Sequence, residues 1–217
     1  MLKKLSYIAI FILILLLSEL LFIFNSQKMK IISTYAIFQA QKEVNIQNVQ
    51  KAVNFFTWAA EINIKSLAKS YPGLIPENYA IKVTIPQTNL ELKDNLTSYI
   101  NNINLSAIFN SEEGYLARVF YNLATISAKN KEDNLAQPFF QTAVYLNPEL
   151  SHFHVALANY YLLKGNKEKA IEAIDYCFKF KNPQEHCIDY QNFSLAQNAP
   201  EEIGFLDKEL DKYYESR

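Results

Sequence analysis

Glycine is scarce in this chain, with four in 217 residues. Loops that cradle phosphate groups need closely spaced glycines, so a nucleotide-binding loop is excluded, and neither Gly-x-Ser-x-Gly nor His-Glu-x-x-His occurs. Histidine and cysteine are also few, at three and two. His152 and His154 stand two positions apart, which on a helix turns them to different sides and makes a poor metal pair. Excess charge of either sign is missing too: 21 basic against 22 acidic residues leave a formal charge of −1, without the basic face that nucleic acid demands. Carboxylates are plentiful, but no pair stands in an apolar setting that would raise one of them for acid–base work. The expectation is a protein with no catalytic residue, no cofactor, no metal and no nucleic-acid partner.

What the chain has in quantity is apolar surface: 50% of it is hydrophobic and 14% aromatic, enough for a sizeable core. The Asn-, Lys- and Ile-rich wording suggests an AT-rich bacterial source. One block, Leu5 to Phe24, is almost continuously apolar. As a helix its roughly 20 residues would span about 30 Å, the hydrocarbon thickness of a bilayer. A cleaved signal would need a shorter core and a small-x-small site; Phe24-Asn25-Ser26-Gln27 offers none, and no Leu-x-x-Cys lipid box is present. The block therefore reads as an uncleaved single-pass membrane anchor. Lys3, Lys4 and the terminal amine precede it and Lys28 and Lys30 follow, so the positive-inside rule favours a cytoplasmic N-terminus and an extracytoplasmic remainder. Glu19 lies late in the run. It either contacts another membrane helix or reaches the headgroups.

From Ala117 to Pro183 a pattern repeats at a step of about 34 residues. The first copy shows Phe120, Leu123, Ala124, Ala136, Phe140, Ala143 and Pro148. The second shows Leu157, Ala158, Tyr161, Gly165, Ala170, Ile174 and Cys177. Small residues recurring in step allow two helix backbones to approach while the large ones fill the space beside them. One such hairpin cannot bury its stripe alone, so copies stack. Ser111 with Glu112 and Glu113 reads as the first helix start. Pro138 requires the second helix to begin near Asp133 or Asn134. Asn147-Pro148, Asn182-Pro183 and Ala199-Pro200 mark further starts. Ala40, Ala52, Phe56 and Ala59 keep the offsets of Ala124, Ala136, Phe140 and Ala143, which reads as a degenerate earlier copy carrying Trp58 in its core.

These residues resemble the tetratricopeptide repeat family. Joined to the apolar run, the resemblance implies an all-α fold: an N-terminal transmembrane helix followed by an α-solenoid with a C-terminal capping helix. The segments expected are 1–30 cytoplasmic tip and anchor, 31–66 degenerate helix pair, 67–110 insertion, 111–184 two repeats and 185–217 partial repeat and cap. In the insertion, Tyr79 to Ile85 reads as an extended segment lying on the helices. Thr88 and Glu91 read as a capping box, and Leu92, Leu96, Tyr99, Ile103 and Ala107 form a helical stripe. Glu201 to Tyr214 would be the cap, with Ile203, Leu206, Leu210 and Tyr213 inward.

The family frame further implies protein partners held on a concave face of first helices. Arg118, Tyr121, Thr125 and Lys129 stand there in copy one, and His152, Val155, Asn159 and Leu162 in copy two. Some relatives clamp a peptide carboxylate with Lys and Asn. Asn122 and Asn159 match, but Tyr121 and Val155 replace the lysines, so that clamp is not expected. Cys177 and Cys187 would fall on the last helix of copy two and the start of the next. A disulfide, which an extracytoplasmic location favours, stands against two free thiols and a weaker metal option with His186. The leading function is a membrane-anchored scaffold for protein–protein interactions. The rivals are a self-assembling oligomer or filament subunit, and an accessory component of a cell-envelope polysaccharide or secretion machinery.

Overall fold

The computed structural model describes residues 28–43, 48–104, 108, 114–180 and 185–190. Every regular element among them is helical. In chain order these are α1 (28–43), α2 (Val49–Leu67), α3 (Leu90–Asn101), α4 (Tyr115–Lys129), α5 (Asp133–Leu146), α6 (Ser151–Leu163), α7 (Lys167–Cys177) and α8 (Glu185–Tyr190). Leu5 to Phe24 with Glu19, and the expected cap from Glu201 to Tyr214, lie outside the described residues. Among those described, no helix is long and apolar enough to cross a membrane.

The two in-step segments form two helix hairpins, α4–α5 and α6–α7, with α5 packed on α6. Ala117, Ala124, Ala136 and Ala143 are fully buried in the first, as are Ala158 and Ala170 in the second. Around these close approaches pack Phe120, Leu123, Phe139 and Phe140. Burial of each such side chain contributes about 1.5–3 kcal/mol. Phe120 meets Phe139 edge-on at 5.8 Å, and Tyr121 bridges Phe140 and Phe153 at 6.0 and 5.9 Å.

Both hairpins turn by the same device. After α6 the Gly165 N–H donates to the Leu162 carbonyl and the Asn166 N–H to the Tyr161 carbonyl, with Gly165 left-handed at φ 73°. After α4 the Lys131 N–H donates to Ala128 and the Glu132 N–H to Ser127, with Lys131 at φ 60°. Each is a Schellman closure of a helix C-terminus. The second copy has the glycine that this conformation favours, whereas the first forces a lysine into it.

α1 and α2 make an earlier hairpin. Asn63 Nδ2 donates to Ser33 Oγ at 2.7 Å, and Lys51 pairs with Glu43 at 2.8 Å. Ala40, Ala52, Phe56 and Ala59 are all fully buried. Trp58 departs from its expected core position and is 40% exposed. Phe56 fills the interior, and two residues further on the helix has rotated Trp58 outward, beside Phe55 at 6.4 Å.

The segment between α2 and α3 begins in turns, and its later stretch, around Ile81 to Ile85, hydrogen-bonds to side chains instead of another strand. Gln50 acts on it like a strand edge: its Nε2 donates to the Val83 carbonyl at 3.1 Å, and its Oε1 accepts from the Ile85 N–H at 2.6 Å. Glu61 accepts from the Ile81 N–H at 2.9 Å. Ile81, Val83 and Ile85, alternating, are thereby pressed into the core. α3 then buries Leu92, Leu96 and Ile100 and packs on α4.

Several helix starts differ from the expectation. α3 is capped by Asn89, whose side chain accepts from the Leu92 N–H, so the Thr88–Glu91 box is not used. The cap of α4 is Gly114 at φ 84°, where a Cβ would meet Asn147 Nδ2 at 2.6 Å; Ser111 to Glu113 lie outside the described residues. α6 begins at Ser151, because a turn in which the Leu150 N–H donates to Asn147 intervenes after Pro148. α5 does begin at Asp133, but Pro138 then sits in its second turn.

Candidate functional site

The eight residues assigned to the concave face do not form an open groove. Tyr121, Thr125, His152, Val155 and Asn159 are buried; Arg118 and Leu162 are half-buried, and only Lys129 is exposed. The cause lies in α6, which is buried on every side from Ser151 to Tyr161. α8 packs on it: the Tyr190 hydroxyl donates to Asn159 Oδ1 at 3.1 Å, and Cys187 is buried against the Ser151 carbonyl. Thr125 turns its hydroxyl inward to the Tyr121 carbonyl at 3.0 Å.

Cys177 and Cys187 are joined in a disulfide with Cα atoms 6.7 Å apart, tying α8 to the end of α7. That linkage uses up both sulfurs, so neither is a metal-ligating thiolate.

His154 occupies the large apolar position of the repeat frame and behaves as a flat filler. It is buried between Tyr176 at 5.6 Å and Phe180 at 5.9 Å, with Nε2 2.7 Å from the Pro148 carbonyl. Burial pushes its pKa down to about 4, so the ring is neutral at physiological pH.

One concavity among the described residues was not anticipated. Between α5, α6 and α7 lies a cavity of about 510 Å³ lined by Gln141, Tyr145, Leu157, Tyr161, Lys169 and Tyr176, among others. Tyr145 and Tyr176 meet edge-on at 6.2 Å. Gln141 Nε2 donates to the Tyr161 hydroxyl at 3.4 Å. Burial raises the pKa of Tyr145, Tyr161 and Tyr176, so all three stay protonated, with the Tyr176 proton already given to a backbone carbonyl. Lys169 stands 5.6 Å from the Tyr161 ring and Lys179 the same distance from Tyr176, with Glu172 and Asp175 nearby. An aromatic floor with hydroxyls and a mixed-charge rim suits an extended peptide. In the sequence the three tyrosines are far apart and two look like ordinary repeat positions. Only their helix register (Tyr145 near the end of α5, Tyr161 and Tyr176 facing it) would have grouped them.

The insertion reaches this region. The Tyr176 hydroxyl donates to the Leu74 carbonyl at 2.8 Å, Tyr71 donates to Glu149, and Tyr79 pairs with Thr142 at 2.9 Å. Thus residues 71–79 strap the second hairpin to the first.

No curated protein and no solved structure is significantly similar to the chain. Residues 117–150, the α4–α5 hairpin with the turn into α6, match the family model described as Tetratricopeptide repeat, so the chain carries a repeat of that family within an all-helical fold.

Proposed function

We propose that this chain is a membrane-anchored scaffold that holds partner proteins beside the bilayer, and that it binds rather than catalyses. The observation that carries the reading is the tetratricopeptide match over residues 117–150, since repeats of this kind serve in protein–protein interaction. The apolar run from Leu5 to Phe24 supplies the anchor. Partner contact falls on the tyrosine-lined cavity and on the open rim of the first-helix face at Arg118, Lys129 and Leu162. The repeats lie on the extracytoplasmic side. The lysine balance around the anchor supports this, and the Cys177–Cys187 disulfide suits an oxidising compartment.

The test places a photo-crosslinking residue at Lys169, on the cavity, and at Glu91, on α3, in the full chain within its native membrane. A heterologous protein crosslinked from position 169 and not from 91 is the expected result. Crosslinks only to further copies of the chain would favour a self-assembling role, and no crosslink at either position would remove the scaffold reading. An impermeant thiol reagent, applied to intact cells before and after an impermeant reductant, reports the side. Labelling only after reduction is expected.

A further inference from the structure

Helix α1 has two unlike faces. Inward, Ala36, Ile37 and Ala40 are buried. Outward, Lys28, Ile31, Tyr35, Phe38 and Lys42 recur at alternating steps of three and four, which puts them on a single stripe. All five are exposed, and the three large apolar members are 53%, 55% and 56% exposed. A row of this kind marks an interaction surface more than scattered single residues do. The only acidic residue of α1, Glu43, is buried and already paired with Lys51, so the outward side is purely cationic at both ends.

We infer that this stripe lies in the headgroup layer of an anionic bilayer and holds the α1–α2 hairpin against the membrane. The inference rests on the anchor reading above. The apolar run ends at Phe24, and the polar residues Asn25, Ser26 and Gln27 separate it from Lys28. Four residue steps extend to at most about 14 Å, so α1 starts within reach of the interface. Ile31, Tyr35 and Phe38 then enter the apolar edge of the headgroup zone, the tyrosine hydroxyl remaining wet. Lys28 and Lys42 lay their stems along the stripe and reach lipid phosphates.

A second copy of the chain fits this stripe less well. In a parallel two-fold pair Lys28 meets Lys28 and Lys42 meets Lys42. In an antiparallel pair Lys28 meets Lys42. Either way like charges are apposed, and three apolar side chains fall short of the roughly 800 Å² per partner that a stable interface buries.

The experiment reconstitutes the full chain into phosphatidylethanolamine–phosphatidylglycerol vesicles, with Phe38→Trp in a Trp58→Phe background as the single tryptophan, excited selectively over tyrosine. Flotation that resists high salt and carbonate reports the anchor separately from the stripe. The expected result is a blue-shifted emission, quenched by lipids doxyl-labelled near the headgroup end of the acyl chain. Quenching should weaken in phosphatidylcholine vesicles and in the Lys28→Glu/Lys42→Glu variant, whose helicity circular dichroism verifies. A chain that floats but shows no quenching overturns the inference and leaves the anchor standing. A chain that does not float overturns both. Absent quenching together with disulfide-linked dimers of a Tyr35→Cys variant assigns the stripe to a second copy instead.

Discussion

The paired turns at Lys131 and Gly165 supply an internal control for how much a left-handed residue costs. The two closing hydrogen bonds are the same in both, and the left-handed position holds a lysine in one and a glycine in the other. A residue with a Cβ loses about 1–2 kcal/mol in this conformation. Glycine avoids that loss but gives back roughly 0.5–1 kcal/mol through the extra freedom of its unfolded chain. Lys131→Gly should therefore stabilise by about 0.5–1 kcal/mol. At Gly165 an added Cβ meets nothing within 4 Å, so Gly165→Ala isolates the backbone effect and should destabilise by a similar amount. For a chain of this size 1 kcal/mol moves the melting temperature by about 2–4 °C. Thermal melts of the full chain in detergent micelles, followed by far-ultraviolet circular dichroism, should show opposite shifts of about 1–4 °C, with the double variant near the parent. A lower melting temperature for Lys131→Gly would refute the strain argument and assign the turn's stability to the lysine side chain.

Gln50 holds two backbone groups of the extended segment, one of them the N–H of buried Ile85. Gln50→Leu leaves both unpaired and should cost about 2–3 kcal/mol in urea denaturation, with faster amide exchange at Ile81 to Ile85; unchanged exchange would show that the segment is held by its apolar side chains alone. His154 has its folded pKa lowered to about 4 by burial, below the 6.5 of the free group, so the unfolded chain binds more protons between those values. Its contribution is complete above about pH 6.5 and declines as pH falls toward 4, by an amount of order 3 kcal/mol. His154→Phe should flatten the stability profile in that window, and an unaltered slope would mean that other groups govern the acid limit. Reducing Cys177–Cys187, or replacing both by Ser, should remove about 2–3 kcal/mol, as expected for a ten-residue loop. The loss should fall on α8, read as faster amide exchange at Cys187 to Tyr190 while α4 and α5 keep their protection.

The repeats were legible because their cause is local. An alanine at a helix crossing is required wherever two backbones approach, and the requirement recurs with each copy, so Ala124, Ala136, Ala158 and Ala170 appear at the period itself. Gly165 stood at its repeat position in the sequence, whereas Lys131 hid a similar turn because lysine carries no conformational signature. Trp58 was misplaced because hydrophobicity alone does not fix helix phase: Phe56 and Ala59 set the inward direction, and Trp58 follows from them. The caps of α3 and α4 slipped by one and three residues because Asn89 and Gly114 compete with neighbours of similar chemistry.

What escaped the sequence is whatever depends on two distant segments meeting. Nothing in Gln50 announces that its amide will stand in for a neighbouring strand. That role exists only once α2 is folded and Val83 and Ile85 arrive beside it. The same holds for the eight residues of the first-helix face. Their exposure belongs to the assembled chain, in which five of the eight are buried. Once α8 lies on α6, and a disulfide holds it there, Asn159 has the Tyr190 hydroxyl as its partner. The packing leaves aromatic surface open elsewhere, between Tyr145, Tyr161 and Tyr176. A repeat's sequence therefore specifies how its helices nest, while the segments outside the repeat decide which of its faces remains available.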